Sequence, residues 1–191
     1  MTPAVNTNTL FPGMATTATE FFIDQKELKF IHSGRILPFT ELSFGIIRIL
    51  EEKINQDKFL KLELFDMHPT SKMKRIEQFA KCRFGGLDFR ADIIDGDIQE
   101  GDYWECPLRG SCKSEGILCK LPTYNGLQLQ KQDVKLMQLL ATDKTNEVIA
   151  DEMQLPLGSF HKAKKNLYEM LNVQTKQEVV IISIKLNLIQ L

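Results

Sequence analysis

LQKQDVKLMQLLATDKTNEVIADEMQLPLGSFHKAKKNLYEMLNVQTKQEVVIISIKLNLI, residues 129–189, carries the clearest periodicity in the chain. Its apolar residues recur at three- and four-residue steps, the spacing that stacks side chains on one helix face. The segment predicts four short helices. Residues 131–141 align Val134, Met137, Leu140 and Ala141. Residues 145–153 start at Thr145 as N-cap and turn Ile149, Ala150 and Met153 inward. LPLGS is a tight turn. Residues 158–171 bury Phe160, Leu167 and Leu171, and residues 175–187 open on Thr175 as cap. Helix, short turn, helix is the unit that DNA-binding proteins place in the major groove. Burial of Phe160, Leu167 and Leu171 leaves Ser159, His161, Lys162, Lys164 and Lys165 for the outer face. Between Pro156 and Met170 there are three lysines and one glutamate. That is a modest positive surface, suited to phosphate contacts and base-edge contacts.

The same stretch resembles the LuxR-type (GerE-like) helix-turn-helix domain. Leu129 and the segment from Asp133 to Leu140 stand where that family has its opening helix. Thr145-Asn146 and Ile149-Ala150 are similar to its Ser-Asn and Ile-Ala pairs. Ser159-Phe160-His161 take the place of Thr-Val-Lys in the recognition helix. Asn166-Leu167, and Leu171-Asn172-Val173, match its Asn-Ile and Leu-x-Val. Gln130, Gln132, Asp143, Ala163 and Met170 depart from the pattern. The resemblance implies sequence-specific binding to double-stranded DNA. Lys144 and Thr145 would lie at the preceding helix start and Ser159, His161, Lys162, Lys164 and Lys165 on the reading helix. It also implies a homodimer through residues 177–180; RNA polymerase is a candidate partner under a separate reading, in which the C-terminal bundle binds another protein.

Upstream, TELSFGIIRILEEKI repeats at helical spacing, with Thr40 as candidate cap. DKFLKLELF fits a strand or a helix, and HPTSKMKRIEQFAKC predicts another helix capped by Ser71 or Thr70. Residues 85–126 change character, holding seven glycines, two prolines and three of the four cysteines. So long a loop needs something to hold it together. Cys82, Cys106, Cys112 and Cys119 fall within 38 residues, and four thiolates suit a structural zinc. An iron–sulfur cluster is the alternative, and a disulfide pair or plain buried thiols are the rivals. The acidic run DFRADIIDGDIQEGD lacks calcium-loop spacing and reads as a solvated loop.

The chain has 191 residues, 43% apolar and 26% charged, with 24 Lys+Arg against 25 Asp+Glu. That excludes a polycation, and no stretch reaches the roughly 18 apolar residues of a membrane span. No Gly-rich phosphate loop, GxSxG, HExxH or deaminase signature is present, so no enzyme is expected. The start reads as a flexible tail over residues 1–19 without a signal peptide, which points to the cytoplasm. The expected fold is mainly α. Residues 20–122 would form a helical region with a cysteine-containing irregular module, and 127–191 a four-helix LuxR-type domain. The expected function is a DNA-binding transcription regulator with a four-cysteine metal module. The alternatives are a redox or iron–sulfur sensing regulator and a protein–protein adaptor.

Overall fold

The computed structural model describes residues 10–189, which divide into two compact units on either side of the Lys120–Leu121 bond. The mainly α expectation fails, because the first unit is built on a five-stranded antiparallel sheet in the order β3-β2-β1-β4-β5. The chain is a mixed α/β fold.

The strands are β1 (Thr19–Asp24), β2 (Glu27–His32), β3 (Arg35–Pro38), β4 (Ile93–Ile94) and β5 (Asp97–Ile98). In β1 and β2, Phe21 pairs with Phe30 and Asp24 with Glu27, leaving Gln25 and Lys26 as a two-residue turn. Both turn residues have positive φ, 50° and 75°. That is the geometry a tight hairpin needs, and glycine or asparagine ordinarily supplies it. Ser33-Gly34 and Asp95-Gly96 turn the β2–β3 and β4–β5 hairpins in the same left-handed way. Residues 10–18 run beside this sheet. Gly13, at φ +77°, accepts at its carbonyl from the Gly34 N–H at 2.7 Å, and a Cβ there would lie 2.5 Å from the Ile31 oxygen. The rest of the expected tail, residues 1–9, lies outside the described residues.

Three helices share a core with the sheet: α1 (Phe44–Gln56), α2 (Lys58–Met67) and α3 (Lys72–Arg83). Phe21, Leu28 and Phe30 of the sheet join Leu50, Leu64, Ile76, Phe79 and Phe84 in one cluster. Side-chain caps start each helix, satisfying N–H groups that lack an intrahelical partner. Ser43 accepts from the Ile46 N–H, Asp57 from those of Phe59 and Leu60, and Ser71 from that of Lys74. Thr40, the expected cap of α1, lies instead in a short 3-10 turn, Phe39–Glu41.

The second unit opens on a hairpin, β6 (Thr123–Tyr124) and β7 (Leu127–Gln128), turned by Asn125-Gly126. Four helices follow: α4 (Lys131–Leu140), α5 (Asn146–Glu152), α6 (Leu157–Leu171) and α7 (Lys176–Lys185). Leu129, Leu136, Met137, Ile149, Phe160, Leu167, Leu171 and Val179 are buried, as the helical spacing requires. The Thr175 hydroxyl accepts from the Glu178 N–H at 3.2 Å, while the Glu178 carboxylate accepts from the Thr175 N–H at 2.9 Å. Among the described residues no helix is long and apolar enough to cross a membrane.

The β1–β2 turn gives a direct check. Replacing Gln25 by Asn together with Lys26 by Gly should raise unfolding free energy by about 1 kcal/mol, because left-handed backbone costs a residue with a Cβ. Urea denaturation measures it, and a loss of stability contradicts the turn.

Candidate functional site

Cys82 sits in the last turn of α3, and Cys106, Cys112 and Cys119 sit in the loop between β5 and the end of the unit. The four line one cavity of about 390 Å³. All are free thiols, so the disulfide rival is not realised. The walls are mainly apolar, with Met67, Trp104, Leu108 and Leu118 among them. Among the described residues, no three of the cysteine sulfurs lie within 4.8 Å of one another. Burial pushes the Cys82 thiol above its ordinary pKa, and the facing thiols of Cys119, Cys106 and Cys112 push the same way. Gln78 opposes them, its side-chain amide donating to the Cys82 sulfur at 3.1 Å.

Local turns bring the loop cysteines round. The Cys106 carbonyl accepts from the Arg109 N–H at 3.0 Å, and the Cys112 N–H donates to the Leu108 carbonyl at 2.9 Å. Glu115 bridges to Cys119, and the Cys119 carbonyl accepts from the Gly116 N–H at 3.0 Å. The Ser114 hydroxyl donates to the Glu63 carboxylate at 2.7 Å, stapling the loop to α2. Trp104 reaches the cavity because Gly85 has no side chain. A Cβ at Gly85 would lie 2.7 Å from the indole ring. Sequence reasoning missed Gln78, although it stands four residues before Cys82 on one helix face, a spacing that was there to be read.

A second cluster lies in the same unit. The acidic run was expected to be solvated, yet Asp92 and Asp102 are buried beside Glu20, and the three carboxylates have oxygens within 4.8 Å of one another. Asp95, Asp97 and Glu100 are exposed as expected. Asp92 accepts from the Phe21 N–H at 2.6 Å and Glu20 from the Asp88 N–H at 2.9 Å. One oxygen of each of the three carboxyls has no hydrogen-bond partner among the described residues. Burial is the main reason that the Glu20 carboxyl is pushed up to about 10 and that of Asp102 to about 9. Asp92 is raised well above the carboxylate range by the same cause, with Asp102 and Glu20 adding to it. The cluster therefore carries protons at neutral pH, or holds a cation in their place.

In the second unit the expected nucleic-acid residues fall on α6 and the start of α5. Ser159, His161, Lys162 and Lys165 are exposed on α6. Phe160, Leu167 and Leu171 are buried on its other side. Lys162 has no hydrogen bond or ion pair among the described residues, and the Lys165 ammonium lies 3.8 Å from the Glu169 carboxylate. Lys164 is half-buried, donating to the Asn146 side chain at 3.2 Å and lying over the Tyr168 ring. Lys144 is held by Glu152 at 2.7 Å, and Thr145 is the exposed N-cap residue of α5.

Compared with family models, curated proteins and solved structures, the chain matches none.

The buried carboxyls predict a pH dependence. Their folded pKa values lie above the unfolded ones of 4.5 for Glu20 and 3.8 for Asp102. Their contribution is thus complete below about pH 4 and is lost as pH rises through the folded values near 10 and 9. Urea midpoints should fall between pH 5 and pH 9 in metal-free buffer. Glu20→Gln with Asp92→Asn should flatten that fall, and an unchanged slope in the double variant contradicts the assignment.

Proposed function

We propose that the chain is a DNA-binding transcription regulator in which α6 enters the major groove and α5 supports it. One arrangement carries the reading: a four-residue turn between α5 and α6 that leaves a polar, lysine-bearing α6 face exposed. The turn is made by residues 153–156. Gln154 is left-handed at φ +56°, and the Leu155 N–H donates to the Ala150 carbonyl at 2.9 Å, closing off α5. Ala150 is small and buried, so the two helices can approach closely. Helix pairs joined by three or four residues are the architecture of helix-turn-helix readers.

Each residue then has a role that its position supports. Ser159 and His161 lie in the first turns of α6, where base contacts concentrate in this motif. Lys162 and Lys165 supply phosphate contacts. Lys164 already bonds Asn146, which fits a residue that fixes the two helices together. Lys144 must leave Glu152 before it can meet a phosphate. From Leu127 to Leu191 there are eight lysines against seven acidic residues, so affinity should be modest and steeply salt-dependent. A homodimer would double the contacts, and Ile181 of α7, 53% exposed, offers it an apolar point.

An adaptor that binds another protein is the second reading. Exposed Val148 of α5 and Leu157 at the start of α6 favour it, because apolar contacts rather than phosphates would use them.

Charge reversal separates the two. Lys162→Glu with Lys165→Glu should weaken binding to a mixed duplex pool at least tenfold with the melting temperature unchanged. Lys162→Ala alone should reduce the salt slope by about 1. Fluorescence anisotropy across a salt series measures both. Unchanged duplex binding in the charge-reversed variant overturns the DNA reading, and a natural chain that binds no duplex at any salt concentration favours the adaptor.

A further inference from the structure

Cys82, Cys106, Cys112 and Cys119 are this chain's whole complement of cysteines, and all four open onto one cavity in the first unit. We propose that the cavity holds a cubane [4Fe–4S] cluster, with one thiolate from each cysteine on a separate iron. This does not rest on the DNA-binding reading and goes beyond it.

Sulfur spacing comes first. A single zinc holds sulfur at about 2.3 Å, which puts the four sulfurs of a tetrahedron within about 4 Å of one another. Here no three sulfurs come within 4.8 Å. A cubane spreads its ligands over four metal atoms, so its thiolates stand wider apart. The volume agrees: about 390 Å³ is far more room than a lone ion fills.

The lining supplies what a cluster needs. Met67, Trp104, Leu108 and Leu118 give it an apolar wall, with Leu118 fully buried. Four thiolates outweigh the positive charge of the core, and Lys26, Lys81 and Arg109 also border the cavity. Lys81 is anchored by its bond to the Lys26 carbonyl at 2.9 Å, and Arg109 by its bond to the Trp104 carbonyl at 2.9 Å. The Gln78 amide, 3.1 Å from the Cys82 sulfur, is a donor of the kind that tunes cluster potential.

The test is iron and acid-labile sulfide analysis of the full chain, purified without oxygen and, in a second arm, reconstituted with ferric iron, sulfide and a thiol reductant. The cubane predicts a brown protein with broad visible absorption and about four irons and four sulfides per chain. Cys106→Ala and Cys112→Ala, treated identically, should lose the colour while keeping their far-ultraviolet dichroism. A colourless chain carrying one zinc overturns the proposal. So do two irons per chain, or variants that take up as much iron as the natural chain. The wild-type stoichiometry decides the matter even if a variant fails to fold.

Discussion

The guanidinium of Arg83 ties the irregular half of the first unit to the regular half. It stands at the end of α3, beside Cys82, and is 8% exposed. Its Nε donates to the Leu118 carbonyl at 2.9 Å and its Nη2 to the Ile117 carbonyl at 3.1 Å. The Arg83 carbonyl accepts from the Asp102 N–H at 2.8 Å. Gly101 gives the side chain its room, since a Cβ there would overlap the Arg83 stem. Burial lowers the pKa of this arginine, so the charge is held at a desolvation cost. Carbonyl dipoles offset that cost, as buried ionised groups require. Between Asp102 and Cys119 the loop has one isolated bridge and a series of turns, so these bonds, together with the Ser114–Glu63 bond, hold the segment that carries three of the four cysteines.

Both candidate sites use a helix as a fixed edge and a less regular partner to complete them. In the first unit α3 presents Gln78 and Cys82 four residues apart, and the loop brings the other thiols to that edge. In the second, α6 is fixed from behind by Phe160, Leu167 and Leu171, and its polar side is left open.

Legibility in the sequence followed the strength of the local signal. The helices of the second unit were readable because apolar spacing, the Thr175 capping box and the Asn125-Gly126 turn all agree. The sheet was not readable. Its first turn is Gln25-Lys26, residues that seldom adopt left-handed backbone. Phe21-Phe22-Ile23 and Phe30-Ile31 also run apolar residues together, breaking the alternation that marks a strand. The clustering of cysteines was visible, but their separation in space depends on Arg83 and Ser114, which no spacing rule identifies. Asp92 and Asp102 look like members of a charge run. Only the β1–β4 pairing at Thr19 and Ile93 reveals that Asp92 is enclosed.

The most direct measurement is a backbone-amide NMR titration of the full chain with short DNA duplexes drawn from a mixed-sequence pool. DNA recognition by α6 predicts that the largest shift changes fall on residues 158–166, with smaller ones at the start of α5. Shift changes confined to α7 or to the first unit, or none at concentrations that saturate a known duplex binder, would contradict it.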